Sequence, residues 1–315
     1  MTGYLIRRVL QAIVVVIGVT IIAFILQHAI PGSLARSIIG PRATQVEIDA
    51  FNRQYGLDHP VYVQYLYFFW QLLHGNLGES YKLNQSVDSI IIHEIPKDLL
   101  LVGTSLVLSV LIAVPIGIAQ AVKRNKPVDH VATGTSFFLY SMPSFWLGII
   151  LIDFFAITLH VLPPEAPQGA TITQVLADWQ GLILPIATLT LVNFALFSRY
   201  MRSSAIETLA QDYIRTARAK GLSERAVRAR HLLRNSLISI ATLVGLSLPA
   251  IITAGLVTEA VFNFPATGYQ FFLAAQNNDY PIELGITVLV GVATVVGNLL
   301  ADIAYAVLDP RVRYN

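Results

Sequence analysis

The sequence predicts an all-α protein that crosses a membrane several times. Charged residues make up 13% of the chain, whereas an average soluble domain has about 25%. Apolar residues account for 55% and the mean hydropathy is +0.62. Six apolar runs are each long enough for a helix to cross a bilayer core about 30 Å thick, which takes about 20 residues. These observations place the chain among polytopic membrane proteins.

The six apolar runs extend along the whole chain. They cover residues 9–30, 99–122, 131–162, 179–198, 237–258 and 284–301, the last continuing past Asp302 to Leu308. We expect helices, because a helix satisfies every backbone hydrogen bond within its own run. The first run is too long for the apolar part of a signal peptide, so we interpret it as a retained anchor.

The basic residues predict that both termini face the cytoplasm. The two termini and the connections 123–130 and 199–234 together hold 16 of the 21 Lys and Arg residues. The connections 163–178 and 263–283 hold none. Since Lys and Arg are concentrated on the cytoplasmic side of membrane proteins, we expect the basic segments inside and the other two outside.

Residues 31–98 are too long for a simple connection and form a predicted extracytoplasmic cap. Thr44 and Glu47 fit a capping box that opens a short helix, which ends at Gly56. Pro60 is placed to begin a second helix. This second helix contains Tyr62, Tyr65, Tyr67, Phe68, Phe69 and Trp70. We favour a packed cap at the membrane interface; direct docking of a soluble partner is the alternative.

The connection 199–234 is the most distinctive part of the sequence. It is long and holds nine Lys and Arg residues. Ala210 through Lys220 contains no Gly or Pro, so we expect a short helix there, ended by Gly221 in a left-handed conformation. A short helix held between two spans would act as a rigid lever. The alternative is an ordinary basic loop that follows the positive-inside rule.

Seven short motifs follow one another along the chain. In chain order they are His28-Ala-Ile-Pro-Gly32, Tyr55-Gly-Leu-Asp-His-Pro60, His74-Gly-Asn-Leu-Gly-Glu-Ser80, Ser141-Met-Pro-Ser-Phe-Trp146, Asp212-Tyr-Ile-Arg-Thr-Ala-Arg-Ala-Lys-Gly221, Thr258-Glu-Ala-Val-Phe-Asn-Phe-Pro265 and Asp309-Pro-Arg-Val-Arg313. Together they resemble the motifs of ABC-importer permeases of the peptide and nickel branch. Each motif alone is weak, but seven in order make a specific match to the first of the two permeases in dipeptide and oligopeptide transport systems. At the position where the general family has Glu-Ala-Ala, this chain has Arg215-Thr216-Ala217. These residues look typical of the peptide branch.

The resemblance implies the type I ABC importer permease fold, with six transmembrane helices and a long extracytoplasmic segment after the first. It implies a second homologous permease, two ATPase subunits or domains that bind ATP and Mg, and an extracytoplasmic substrate-binding protein. The chain itself would carry no cofactor and would lie in the bacterial cytoplasmic (inner) membrane. The residues expected to couple to the ATPase are Asp212, Tyr213, Arg215, Thr216, Ala217, Arg218, Ala219, Lys220 and Gly221.

We accordingly divide the chain into three parts. Residues 1–30 hold the first transmembrane helix, residues 31–98 the cap, and residues 99–315 a five-helix permease core that contains the loop 199–234. Two acidic residues of this core, Asp153 and Glu259, are candidates for the pathway or a gate, because an acidic side chain within a membrane is costly and often functional. A structural role for each is the alternative.

The sequence gives no sign of an enzyme. It lacks the G-x-x-x-x-G-K-[ST] phosphate loop, so we do not expect it to hydrolyse ATP. It has no cysteine, which excludes disulfides and cysteine-ligated metals, and we expect neither a metal site nor a nucleic-acid partner. The main rival is a stand-alone secondary transporter, which would favour internal repeats. The cargo stays open between a dipeptide or oligopeptide, nickel and glutathione.

Overall fold

The structure is a computed structural model that describes residues 2–28, 34–40, 42–80, 82–247 and 255–308. These residues are mostly helical and none of them belongs to a strand, although one isolated bridge pairs Glu79 with Ser86. The chain forms two compact units. The first unit comprises the described parts of 1–97 and 265–296, and the second comprises those of 98–264 and 297–313.

Fifteen α-helices are found in the described residues. In chain order the α-helices are α1 (Thr2–His28), α2 (Leu34–Ile39), α3 (Gln45–Tyr55), α4 (Val61–Leu73), α5 (Val87–Val122), α6 (Pro127–Ser141), α7 (Ser144–Leu151), α8 (Ile172–Ala177), α9 (Ile183–Leu209), α10 (Asp212–Ala219), α11 (Glu224–Ala226), α12 (Arg234–Ser247), α13 (Leu256–Val261), α14 (Thr267–Asn277) and α15 (Tyr280–Leu308). Two π-helices, Ile152–Thr158 and Val227–Leu233, and a 3₁₀ helix, Trp179–Leu182, adjoin them.

The cap helices of the first unit begin and end where the sequence predicts. The Thr44 side chain accepts a hydrogen bond from the Glu47 backbone, and the Glu47 carboxylate accepts one from the Thr44 backbone at 2.7 Å. This is the predicted capping box. Gly56 follows α3 with a φ of 66°, a left-handed conformation that glycine adopts at little cost. α4 begins directly after Pro60, so both helices predicted within residues 31–98 are confirmed.

α4 packs against α1 through part of its aromatic residues. The hydroxyl oxygens of Tyr65 and Thr20 are 3.0 Å apart. The ring of Phe24 contacts those of Tyr65 and Phe68, with centroids 5.5 and 5.9 Å apart. Other large side chains of α4 are exposed, namely Tyr62, Leu66, Tyr67, Trp70 and Leu73. The first helix therefore holds the cap by one face of α4.

A buried core joins the start of α5 to α14 and α15 within the first unit. Its members are Val87, Ile90, Ile91, Ala274, Ile282 and Ile286. A β-carbon on Gly285 would lie 2.6 Å from Cγ1 of Val87, so the close approach of these helices requires a glycine. In the same unit, buried Lys97 pairs with buried Glu94 at 2.6 Å and donates a hydrogen bond to the Pro265 carbonyl at 2.9 Å.

α9 forms the centre of the second unit. Its residues Phe197 and Met201 are completely buried and belong to a core shared with α5 and α12. A β-carbon on Gly117 of α5 would lie 2.7 Å from Cβ of Met201. α5 and α9 therefore approach closely at this glycine, which leaves room for the Met201 side chain.

Three helical segments in the described part of the chain are long and apolar enough to cross a membrane, namely Val87–Val122, Trp179–Leu209 and Tyr280–Leu299. The bent pair Pro127–Ser141 and Ser144–Thr158 would be a fourth. The described side chains of α1 give only a shorter apolar stretch, and residues 248–254 of the fifth predicted run lie outside the described residues. The protein is thus a helical multi-pass membrane protein, and the number of six spans stays a prediction.

The third predicted run does not form one continuous helix. α6 ends at Ser141, and the helical segment that follows is inclined to it by 105°. Pro143 explains the break, because proline has no backbone N–H and restricts the preceding residue to extended conformations. Met142 indeed has φ −81° and ψ 131°. The apolar run 131–162 is therefore a bent pair of helical segments, α6 and the segment from Ser144 to Thr158.

Candidate functional site

The basic connection 199–234 is almost entirely helical. α9 continues to Leu209, eleven residues beyond the predicted end of the fourth run at Ser198. Only Ala210 and Gln211 separate it from α10. The predicted short helix is therefore confirmed, but the segment before it is a continuation of α9, since no Gly or Pro interrupts the helix there.

Gly221 ends α10 in the conformation predicted from the sequence. Its φ is 78°. Its N–H donates to the Arg218 carbonyl at 2.9 Å, and the N–H of Leu222 donates to the Ala217 carbonyl at 3.3 Å. These two bonds form a Schellman motif, which satisfies carbonyls that a helix end leaves without partners. No atom lies within 4 Å of the place of a β-carbon on Gly221, so the requirement for glycine is conformational.

One face of α10 is buried against the segment that follows it. Ile214 and Ala217 form a small core with Val227, and Leu222 packs against this core. The spacing of three residues between Ile214 and Ala217 puts both on one side of the helix. Ile214 is not among the predicted coupling residues. Its position as an apolar residue between polar ones could have indicated that it is buried.

The other predicted coupling residues lie on the exposed surface. They are Asp212, Tyr213, Arg215, Thr216, Arg218, Ala219, Lys220 and Gly221. Tyr213 is 41% exposed, and the ion pair of Arg215 with Asp212 is long, at 3.5 Å, and solvated. Such a pair contributes little to stability. The exposed face is therefore free to contact another protein, whereas Ala217 is part of the internal core.

Arg218 links α10 to the turn after it. Its guanidinium donates to both carboxylate oxygens of Glu224, at 2.8 and 3.4 Å. The hydrogen bond from Arg218 lowers the pKa of the Glu224 carboxyl below its ordinary value, with a smaller contribution from Arg228. The side chain of Ser223 also accepts a bond from the backbone N–H of Ala226, at 3.4 Å. These contacts hold α10 and α11 together.

The two acidic pathway candidates lie in different surroundings in the second unit. Asp153 is exposed, in the π-helix that follows α7. Glu259 is completely buried in α13. A β-carbon on Gly255 would lie 1.9 Å from its Oε1, so the carboxylate occupies the space that a side chain at residue 255 would need. In the described part of the chain, no group of three or more His, Asp or Glu residues could hold a metal ion.

Two family models match the chain and together span nearly all of it. The model for the binding-protein-dependent transport system inner membrane component matches residues 113–314, which includes α10 and its exposed face. The model for the N-terminal part of such membrane components matches residues 1–102. The chain belongs to the binding-protein-dependent transport system inner membrane components. This confirms the resemblance to ABC-importer permeases that the seven motifs predict.

Individual permeases align with this one from end to end. The oligopeptide transport system permease protein AppB of Bacillus subtilis is 37% identical over 316 residues, with 100% of both chains covered. The glutathione transport system permease protein GsiC of Salmonella typhimurium is 34% identical, also with 100% of both covered. The dipeptide transport system permease protein DppB of Escherichia coli is 32% identical, with 100% of this permease and 99% of DppB covered.

Proposed function

We propose that this permease forms, with a second permease subunit, the membrane pathway of an ATP-driven importer for dipeptides or oligopeptides. The observation that carries the proposal is the end-to-end similarity to a permease named for oligopeptide transport. The family name adds a binding protein that delivers the cargo. ATP and Mg would bind to two ATPase subunits or domains.

The proposed topology has six spans with both termini in the cytoplasm. Its support is the distribution of basic residues, because 16 of 21 fall in the termini and in the connections 123–130 and 199–234. Residues 31–98 would form the extracytoplasmic cap, and residues 99–315 the five-helix core. The break at Pro143 would then lie within the third span.

The proposed contact with the ATPase is the exposed face of α10. Three features support this role. The helix is held rigidly by its own buried core and by the turn at Gly221. Its outer face carries solvated charges and Tyr213. It follows α9 after two residues, so that a displacement of α10 is transmitted almost directly to α9, a proposed membrane helix.

Glutathione import is the second candidate, and the similarity to GsiC supports it. For Asp153 and Glu259 we keep the proposal of a place in the pathway or gate. The exposure of Asp153 fits a polar pathway surface, whereas the burial of Glu259 fits a helix-packing or gating position.

Competitive uptake tests this proposal and separates the two cargoes. Cells that lack their other peptide importers would express this permease with its partner subunits and take up a labelled dipeptide or tetrapeptide. We expect uptake that excess unlabelled peptide abolishes and excess glutathione leaves unchanged. Uptake of labelled glutathione alone would favour the second candidate. Absence of uptake of all three compounds, with the complex present in the membrane, would refute both.

A further inference from the structure

An ion pair joins the first turn of α6 to α9. Arg202 donates two parallel hydrogen bonds to the carboxylate of Asp129, at 2.7 and 2.8 Å. The Asp129 side chain is 2% exposed and that of Arg202 is 28% exposed. The N–H of Asn125 and the hydroxyl of Thr133 donate to the same carboxylate, at 3.0 and 3.3 Å. Such a bidentate pair with further donors fixes the relative orientation of its two helices.

The neighbouring contacts tie α5 into the same junction. The Gln120 side chain donates to Thr133 at 3.2 Å and accepts a hydrogen bond from Ser198 at 3.0 Å. One turn before Gln120, Gly117 is in direct contact with Met201. Three helices of the second unit therefore meet at the ion pair, and its surroundings are packed rather than open.

The position of the pair relative to α10 gives it mechanical importance. Arg202 lies seven residues before the end of α9, about 10 Å along the helix axis. Among the ion pairs formed between described residues, this pair alone joins two long helices. At its other end α6 reaches the 105° bend at Met142 and Pro143. A continuous chain of rigid elements thus runs from α10 through α9 and α6 to the bend.

We propose that the Asp129–Arg202 pair makes α6 move together with α9, so that a displacement of α10 reaches the bend at Pro143. Both residues are positioning residues, because they act by fixing one helix against another. Without the pair, α10 and α9 would still move, but α6 would no longer follow them. ATP hydrolysis would continue and would drive less import. This inference rests on the proposed role of α10 as the ATPase contact.

A double neutral variant, Asp129→Asn with Arg202→Met, separates this role from simple stabilisation. Removing one partner leaves a buried charge without compensation, whereas replacing both partners by neutral side chains is often tolerated. We therefore expect the double variant to retain wild-type thermal stability. Peptide imported per ATP hydrolysed should nevertheless fall by about fivefold or more, the range of a typical coupling energy. The assay uses the purified complex in proteoliposomes with its binding protein.

Two further variants make the outcome decisive. Loss of the buried pair in the first unit, through Glu94→Gln with Lys97→Met, should leave the import per ATP unchanged. A wild-type ratio of peptide imported to ATP hydrolysed in Asp129→Asn/Arg202→Met overturns the proposal. A fall of equal size in the control Glu94→Gln/Lys97→Met also overturns it. If the double variant does not accumulate in the membrane, Arg202→Lys replaces it, because lysine keeps the charge but cannot make the two parallel hydrogen bonds. The same ratio of import to hydrolysis then tests the proposal.

Gly221→Val in the same assay distinguishes failure of the inference from failure of the proposed function. If Gly221→Val uncouples import from hydrolysis and the Asp129 and Arg202 variants do not, only the ion-pair proposal is wrong. If neither Gly221→Val nor the Asp129 and Arg202 variants change the ratio, both the ion-pair proposal and the proposed role of α10 are wrong. A fall in both Gly221→Val and the double neutral variant supports the complete path from α10 to α6.

Discussion

Replacement of Gly221 by valine should uncouple transport while the protein remains in the membrane. The φ of 78° at this residue lies in the left-handed region, where a β-branched side chain is a genuine outlier. Holding a non-glycine residue there costs about 1–3 kcal/mol. At about 2 kcal/mol, the equilibrium constant that favours the native turn over rearranged conformations falls roughly 30-fold. Since no atom lies within 4 Å of the new β-carbon, no steric clash adds to this cost.

The consequence of this strain is local. The turn is closed by hydrogen bonds from Gly221 and Leu222 to the last carbonyls of α10. If the turn rearranges, the helix loses these bonds, and its exposed face points elsewhere relative to the core of Ile214 and Val227. The buried contacts among the long helices α5, α9 and α12 do not involve residues of the turn. We therefore expect normal amounts of protein in the membrane, lost peptide uptake, and ATPase activity that no longer responds to loaded binding protein.

A graded series at the same position supplies the control. Asparagine tolerates the left-handed conformation better than other residues, so Gly221→Asn should retain most of the uptake, Gly221→Ala less, and Gly221→Val least. Uptake, ATPase pull-down and membrane abundance would be measured in parallel for each variant. Charge reversal at Arg215 should have a weaker effect than Gly221→Val, because its side chain is solvated. Normal import by Gly221→Val would refute the reasoning and return 199–234 to an ordinary basic connection.

Three further predictions concern topology and packing. Reporter fusions should indicate cytoplasm at Asn125 and Ser223, and the outside at Asn84, Gln168 and Asn278; a cytoplasmic signal at Asn84 would overturn the six-span topology. Lys97→Met should lower the unfolding free energy in detergent by about 3 kcal/mol, because Glu94 loses its buried partner; adding Glu94→Gln should recover part of the loss, and no loss would argue against the pair. Gly285→Ala should cost about 1–3 kcal/mol by overpacking against Val87, whereas Gly103→Ala, with no atom within 4 Å, should be neutral; equal thermal denaturation of both variants would contradict the close helix approach.

The sequence predicted those features that depend on a few neighbouring residues. The capping box of Thr44 and Glu47, the helix end at Gly56 and the turn at Gly221 each follow from local backbone chemistry. The short helix α10 was predicted for the same reason, and the family was predicted from short motifs. Such local features depend only on neighbouring residues, so they can be predicted without knowledge of the rest of the fold.

The features that the sequence did not predict depend on distant partners or on a competing signal. α5 begins at Val87, twelve residues before the predicted start at Leu99. The predicted run began after the last charge, Asp98, whereas in the structure the helix includes this charged stretch, in which Glu94 and Lys97 pair. Pro143 marks a bend in the run 131–162, but the size of the bend, 105°, depends on packing that the sequence does not show.

The junction of Asp129 and Arg202 shows a different limit. The two residues are 73 positions apart, and each stands in a basic connection where the sequence gives no reason to choose one partner over another. Their pairing follows from the packing of α6 against α9, which only the structure supplies. Likewise, only the structure shows which face of α10 is buried. Ile214 lies on that face and was not among the predicted coupling residues.

Peptide uptake into proteoliposomes of defined composition tests the central claim most directly. The permease would be reconstituted alone or with its second permease and ATPase subunits, with or without binding protein and with ATP on the side of α10. The account predicts that labelled peptide enters only when every component and hydrolysable ATP are present, and that a proton or sodium gradient across vesicles holding this chain alone drives no uptake. Gradient-driven uptake by the chain alone would contradict the account and identify a secondary transporter.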